Sequence, residues 1–203
     1  MLPGPIEYYK CPKCQSLTSR GSLLSGNTFG AKLYSDGKQI APMLPEFPAI
    51  IKCKKCGTFF WLKDENEIKI EDETIESYSA EFLSVNEYNE AINSEIFTNN
   101  KELHFLRIRL WWAFNDRIRQ NNDIFLSEND QQIYEKNCLK LLEILDKNDI
   151  NEKIMCAEIY RNLGSFNECQ KIIETLEDKF SWIKELLNIE CNNNNKNVIV
   201  IRQ

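Results

Sequence analysis

The chain has 203 residues, of which 42% are apolar and 28% are charged, so it can bury a core and is not disordered by composition. Its single histidine, His104, leaves little room for imidazole-based acid–base catalysis or for histidine-rich metal sites. The chain has no run of about 18 apolar residues, which a membrane span needs, and its first ten residues lack the apolar stretch of a secretory signal. We therefore expect a cytoplasmic protein without a membrane partner.

Charge and turn-forming residues divide the chain in two. All six prolines lie at or before Pro48, and residues 1–63 carry nine basic and three acidic side chains, a net charge of +6. The remaining residues carry 16 basic and 28 acidic side chains, a net charge of −12. We predict a turn-rich β domain at residues 1–63, an acidic linker at 64–81, a helical domain at 82–191, and an Asn-rich loop with a candidate strand at 192–203. The acidic linker is either solvated or lies against the basic β domain.

Two cysteine pairs in the predicted β domain have metal-ligand spacing. Cys11 and Cys14 form one Cys-x-x-Cys, and Cys53 and Cys56 form the other. Two residues between the thiols let both sulfurs of one tight turn point at the same ion, and four sulfurs suit the tetrahedral preference of Zn²⁺. Disulfides are not expected in a reducing compartment, and a thioredoxin-like role needs a βαβ context that is missing. We predict one zinc ion with these four ligands, structural because no coordination position stays open.

Residues 6–62 resemble a zinc ribbon, on the strength of this double knuckle. The resemblance implies a small β fold that depends on its metal for stability. The 38 residues between the knuckles are an insertion, and Gln15 stands where the second knuckle has Gly57. Within the insertion, Asp36-Gly37 is a strong hairpin signal between the apolar stretches 29–34 and 39–43. Two interpretations of this hairpin stay open: extra sheet over a small core, or a binding surface.

Capping signals predict where the helices begin. Each is a polar residue followed three positions later by an acid, and they stand at Ser84, Asn99, Ser127, Asp149 and Ser165. A sixth helix is predicted from about Trp182 to Glu190. Short connections between helices are typical of an antiparallel array, so the whole chain is predicted to be an α+β protein.

Residues 150–178 resemble one tetratricopeptide repeat, because small and aromatic residues alternate around a glycine in the order of that repeat. These residues are Ala157, Tyr160, Gly164, Phe166, Cys169 and Ile173. A degenerate upstream unit would use Trp111, Phe114, Cys138 and Leu142. The resemblance implies a helical scaffold that presents a groove to a peptide or protein and has no chemistry of its own.

The end of the chain and the helix from Lys101 to Arg119 allow further predictions. That helix is apolar nearly all round, so we expect it at the centre of a bundle with its arginines paired to carboxylates. Val198–Ile201 is a strand candidate because all four residues are β-branched. It would add to the sheet of the β domain or pair between subunits.

These patterns favour a zinc-binding protein-interaction module, an adaptor or scaffold without catalytic activity. The chain has no Gly-rich phosphate loop and no histidine for a nucleophile–base pair, and an enzyme would need a site built from carboxylates, tyrosines or arginines. The alternative is nucleic-acid binding by the cysteine-containing domain, since basic groups attract phosphates and aromatic rings stack on bases. The candidate contacts are Lys10, Lys13, Lys54, Lys55 and Trp61. The acidic remainder of the chain would repel a polyanion.

Overall fold

The computed structural model describes residues 1–70 and 75–202. The chain divides into two compact units, one of Met1–Ala31 with Ile40–Ile96 and the other of Lys32–Gln39 with Phe97–Gln203. The strands are β1 (Leu2–Pro3), β2 (Glu7–Lys10), β3 (Leu17–Arg20), β4 (Leu23–Ser25), β5 (Lys32–Tyr34), β6 (Gln39–Ile40), β7 (Ile50–Lys52), β8 (Phe59–Trp61), β9 (Glu67–Ile68), β10 (Tyr78–Ser79) and β11 (Val200–Arg202). The helices are α1 (Val85–Asn93), α2 (Asn100–Arg119), α3 (Glu128–Ile144), α4 (Ile150–Asn162), α5 (Phe166–Glu174) and α6 (Ser181–Asn192).

Strands dominate the N-terminal part of the described chain and helices the C-terminal part, which confirms the predicted α+β class. The six helices begin within two residues of the predicted starts. No helix in the described ranges combines the length and the apolar character that crossing a bilayer requires.

The first unit is built from short strands, most of them paired antiparallel. One sheet has the strand order β10-β3-β2-β9, while β7 pairs with β8 and β1 pairs with β4. Its core cluster contains Tyr9, Ile51, Phe60 and Leu62, together with two of the cysteines, Cys11 and Cys53. The core therefore lies directly beside the turns that carry the thiols.

Part of the predicted acidic linker takes part in this sheet. β9 pairs antiparallel with β2, and β10 pairs parallel with β3. Neither two-residue strand shows an alternating apolar pattern, so the pairing depends on partners distant in sequence. Three acids of the predicted run, Glu71, Asp72 and Glu73, lie outside the described residues.

Helix α1 completes the first unit. Ser84 forms the predicted capping box: its hydroxyl accepts from the Glu87 N–H, and the Glu87 carboxylate accepts from the Ser84 N–H. The buried face of the helix carries Val85, Tyr88, Ala91 and Ile92, at the spacing expected of an amphipathic helix.

The second unit contains α2 to α6. Asn99, Ser127 and Asp149 accept hydrogen bonds from backbone N–H groups in the first turn of their helices, as predicted. Ser165 makes no such side-chain bond. Helix α5 still begins after it, because Gly164 turns the chain in the left-handed region, at φ 81°.

The small residues of the repeat-like stretch 150–178 are packed where the resemblance requires. Ala157 and Cys169 are fully buried, and they share one cluster with Ile173 and with Leu187 of α6. Small side chains at these positions allow α4 and α5 to approach closely. The assignment of this pair to the tetratricopeptide family stays a prediction.

The tip of the predicted hairpin belongs to the second unit. The turn after β5 is formed as the Asp-Gly signal predicts, with Gly37 in the left-handed region at φ 78°. The C-terminal strand β11 pairs antiparallel with β5, with Val200 opposite Tyr34. The strand predicted at Val198–Ile201 therefore exists, two residues further along the chain, and its neighbour is this hairpin.

Candidate metal centre and apolar cavity

The two knuckles have the same backbone geometry. In the first, the Cys11 N–H donates to the Ser16 carbonyl at 3.0 Å, and the Cys11 carbonyl accepts from the N–H of Gln15 at 3.0 Å. In the second, Cys53 N–H donates to the Thr58 carbonyl at 2.8 Å, and the Cys53 carbonyl accepts from the N–H of Gly57 at 2.9 Å. Each hairpin thus folds its two cysteines onto one side of a tight turn.

The residue after each knuckle has a left-handed backbone. Its φ is 72° at Gly57 and 59° at Gln15. Only glycine adopts this region without steric cost, so Gln15 is strained where Gly57 is not. The Gln15 amide partly compensates by donating to the carbonyl of Cys11 at 3.3 Å.

The four thiols meet at one point. The sulfurs of Cys11, Cys14, Cys53 and Cys56 all lie within 4.8 Å of one another, and no other metal-binding group of this kind occurs in residues 1–70 and 75–202. The Sγ atoms are 3.6 Å apart in Cys11–Cys56 and also in Cys14–Cys53. In a tetrahedral site with metal–sulfur bonds of about 2.3 Å, the sulfurs are about 3.8 Å apart. The cluster can hold one metal ion, and the predicted proximity of the four residues is confirmed.

Two hydroxyl groups complete the surroundings of the thiols. Ser16 Oγ lies 3.1 Å from Cys14 Sγ and 3.2 Å from Cys53 Sγ, while Thr58 Oγ1 lies 3.3 Å from Cys56 Sγ. Neither residue was predicted to take part in the site. The signal was present, because each stands two positions after the second cysteine of its knuckle.

These contacts and the burial of the site shift the pKa values of the thiols in different directions. Hydrogen bonds from the Ser16 hydroxyl and backbone lower the pKa of Cys14 to about 6. Burial raises the pKa of Cys11 to about 12. For Cys53, burial acts upward, but the Ser16 hydroxyl and backbone N–H groups outweigh it and leave the pKa lowered. A bound cation would remove the remaining protons, since metal-bound cysteine is a thiolate.

The other four cysteines lie apart from this centre. Cys138, Cys156, Cys169 and Cys191 are buried in the helices, as predicted for small core residues. Burial raises the pKa of each thiol.

The residues predicted to contact nucleic acid have mixed surroundings. Lys10, Lys13 and Lys55 are exposed, and Lys13 and Lys55 hold equivalent positions in the two knuckles. Lys54 forms an ion pair with Glu81. Trp61 is half-buried, and its indole N–H donates to the carbonyl of Ile96 at 3.1 Å. The pairing of Lys54 and the burial of Trp61 reduce what these two residues offer to a phosphate or a base.

An apolar cavity of about 460 Å³ lies in the second unit. Three alternate helices, the hairpin and the C-terminal strand line it, and no lining residue is acidic or basic. Its larger side chains are Leu33, Tyr34, Ile108, Trp112, Ile154, Met155, Phe180, Trp182, Ile183 and Ile201. Cavities of this size and character are typical of ligand sites. The cavity could not be predicted from the sequence, because its wall comes from five separate stretches of chain.

Buried polar contacts hold the hairpin side of this wall. The Asp36 carboxylate, fully buried, accepts from the Asn115 amide at 2.9 Å and from Arg119. The Trp112 indole donates to the Asp36 carbonyl at 3.0 Å. The arginine pairing predicted for α2 is therefore present, and the cavity wall is formed before any ligand arrives.

A second buried pair holds the strand side of the wall. Glu158 and Arg161 are fully buried and joined at 2.6 Å, and Ser35 donates to Glu158 at 2.7 Å. Arg161 also donates to the carbonyl of Asn197 at 2.8 Å, and Asn162 to that of Lys196 at 2.8 Å. Burial raises the pKa of the Glu158 carboxyl, against the opposing influence of Arg161. The predicted Asn-rich loop is thus held through its carbonyl groups, directly ahead of β11.

Comparisons with protein-family models, with curated proteins and with solved structures return no match for this chain. The four clustered cysteines are compatible with a zinc-ribbon site, and the C-terminal region is helical. The geometry of these two regions is therefore what the functional argument rests on.

Proposed function

We propose that this chain is a protein-interaction module, in which a structural zinc ion orders the first unit and the apolar cavity of the second unit binds a hydrophobic segment of a protein partner. The observation that carries the proposal is the cavity of about 460 Å³ without an acidic or basic side chain in its wall. The module has no chemistry of its own, as the closed set of four thiols also favours.

The character of the wall selects the ligand. A charged group placed there would lose its hydration without a partner, whereas apolar side chains would gain by leaving water. Trp182 keeps 49% of its surface exposed, and burying an aromatic side chain is a frequent source of binding energy at interfaces. An extended or helical segment with bulky apolar residues fits this description best.

The wall also supports binding because it is rigid. Asp36 and Glu158 are fully buried and satisfied by hydrogen bonds from Asn115, Arg161 and Ser35. A wall that is already ordered adds little entropic cost to association. The alternate helices α2, α4 and α6 line it together, which agrees with the scaffold that the repeat-like stretch predicts.

Zinc is the metal that the four thiols fit best. Thiolate ligands in a tetrahedral arrangement favour zinc or iron–sulfur centres, and the sulfur spacing of 3.6 Å suits a single ion with bonds of about 2.3 Å. Four protein ligands leave no position for a substrate, so the ion would stabilise the fold.

Peptide selection tests the cavity. A phage-displayed library of random peptides would be panned against the full-length, zinc-loaded chain, and we expect enriched peptides to carry bulky apolar residues. Trp182→Ala should weaken their binding about tenfold or more. Leu139→Ala is the matched control, because Leu139 is 55% exposed on α3 and outside the cavity wall. Peptides that bind Trp182→Ala as tightly as the unchanged chain would refute the cavity as the binding site.

Nucleic-acid binding is the second candidate, and the exposed, equivalent positions of Lys13 and Lys55 favour it. It predicts affinity for single-stranded RNA or DNA that falls steeply with added salt. Lys13→Glu with Lys55→Glu should then abolish binding, while Lys147→Glu, a change outside the first unit, should not. No binding at low salt would remove this candidate.

A further inference from the structure

Three segments of the first unit contain no charged side chain. They are residues 1–6, 21–31 and 40–45. In a chain that is 28% charged, 23 residues of average composition would hold about six charges. The lack of charged side chains is therefore specific to these segments and does not reflect the composition of the whole chain.

The three segments lie together. β1 pairs with β4, and Gly4 N–H donates to the Ser22 carbonyl at 2.9 Å. Asn27 N–H donates to the Met43 carbonyl at 3.3 Å, which joins the third segment to the second. We call residues 1–6, 21–31 and 40–45 the uncharged lobe.

The uncharged lobe exposes large apolar side chains. Phe29 is 85% exposed and Leu24 is 68% exposed. The others with more than two fifths of their surface exposed are Met1, Leu2, Ile6, Ile40 and Leu44. Apolar surface concentrated in this way marks an interaction site in soluble proteins. In addition, β1 and β4 pair with each other and with no further strand of the described residues. The stability of such a two-stranded pair in water is marginal unless something packs on it.

We propose that a second copy of this chain covers the uncharged lobe, so that the protein is a symmetric dimer through this surface. In a two-fold interface the same patch meets itself, so every charged side chain on it would be buried twice and would need a partner on the other copy. Two copies with a net charge of −6 each repel one another, and a face without charged side chains adds little to that repulsion. This inference does not depend on the cavity or on its ligand.

The border and the size of the lobe also suit a dimer. Glu7 directly follows the first segment and Arg20 directly precedes the second. The two side chains form an ion pair at 2.6 Å and so neutralise each other. Stable interfaces of standard size use about 20–30 residues from each partner, and the lobe has 23.

Sedimentation of the full-length, zinc-loaded chain tests the dimer over concentrations of about 1–100 μM. We expect a monomer–dimer equilibrium that added NaCl does not weaken, because no ion pair is needed. Phe29→Glu and Leu24→Glu should each raise the dissociation constant about tenfold or more. Both positions are largely exposed, and unchanged zinc content would show that the variants are folded.

The matched control is Leu126→Glu, since Leu126 is 72% exposed in the second unit. It should dimerise as the unchanged chain does. A chain that is monomeric at about 100 μM, or a dimer that survives Phe29→Glu and Leu24→Glu, would overturn the proposal. So would a monomer that sediments with neutral phosphatidylcholine vesicles, which would assign the lobe to a lipid surface.

Discussion

In the first unit the strands are only two to four residues long, whereas the helices α2 to α6 of the second unit run for nine to 20 residues. Both units bury apolar side chains, but two of the most buried groups in the first unit are thiols of the metal centre, Cys11 and Cys53. The second unit has its own apolar core and buried, hydrogen-bonded ion pairs. Because the thiols of the metal centre form part of the core of the first unit only, we predict that metal binding stabilises the first unit and that packing alone stabilises the second.

Removing the metal should have the largest effect, and it should destabilise the first unit much more than the second. Cys53→Ser with Cys56→Ser is expected to abolish binding of one zinc per chain and to unfold the first unit, because binding of a structural zinc contributes about 10–16 kcal/mol in small domains. Faster hydrogen exchange of the backbone amides in β2, β7 and β8 should report the unfolding, while the far-ultraviolet signal of α2 to α6 persists.

The control for this change is Cys169→Ser with Cys191→Ser. These cysteines are buried in the second unit and outside the thiol cluster. Zinc content should stay at one ion per chain. Helices that melt together with the first unit on metal loss would show that the two units are not independently stabilised.

Breaking the buried ion pair should destabilise the second unit and leave the metal in place. Arg161→Met leaves the Glu158 carboxylate uncompensated, and loss of one partner of a buried pair costs about 3–5 kcal/mol. Urea unfolding followed by circular dichroism measures this cost. Lys171→Met is a matched control, because Lys171 and Glu168 have the same sequence spacing on α5 and are exposed. Equal unfolding midpoints for the two variants would contradict the role assigned to burial.

Substitutions at the residue that follows each knuckle should have opposite effects on stability. Gly57→Ala should destabilise the zinc-loaded first unit by about 1–2 kcal/mol, since φ is 72° there and no atom crowds the added methyl group. Gln15→Gly should stabilise it by about 1 kcal/mol, because it relieves the same strain. Competition with a zinc chelator would rank the variants. If both substitutions shifted the stability of the first unit in the same direction, the two turns would not have equivalent backbone strain.

The smallest effect is expected at two helix caps. Ser84→Ala removes a capping box from α1 in the first unit and should cost about 1 kcal/mol. Ser165→Ala should cost less, because Ser165 makes no side-chain bond to α5. Thermal unfolding of the two variants would compare them, and a larger loss at Ser165 would be inconsistent with the capping geometry.

Local signals predicted most of the elements. The spacing of Cys11, Cys14, Cys53 and Cys56 identified the metal centre, and the residues before α1 to α4 identified their starts, because turns and caps depend on neighbouring atoms. Asp36-Gly37 likewise located its turn.

Partners distant in sequence could not be predicted. Asp36 has the sequence of an ordinary surface turn residue, yet it is buried against Arg119, 83 positions away. The acidic linker was expected either in solvent or against the β domain, but the pairing of β9 and β10 with β2 and β3 was not predicted, since a two-residue strand has no periodicity of its own. The cavity escaped for the same reason, because it exists only once separate stretches have come together.

The placement of Lys32–Gln39 has a consequence for dissecting this protein. The chain passes from one unit to the other three times, so neither unit is a continuous stretch of sequence. A fragment that begins at Phe97 would keep Asp116 but lack Asp36, the buried one of the two aspartates that pair with Arg119, and it would also lack the strand with which β11 pairs. Cutting the gene after residue 96 would therefore yield an incomplete product, and that product should recover its C-terminal strand only when an eight-residue peptide of sequence KLYSDGKQ is supplied alongside it.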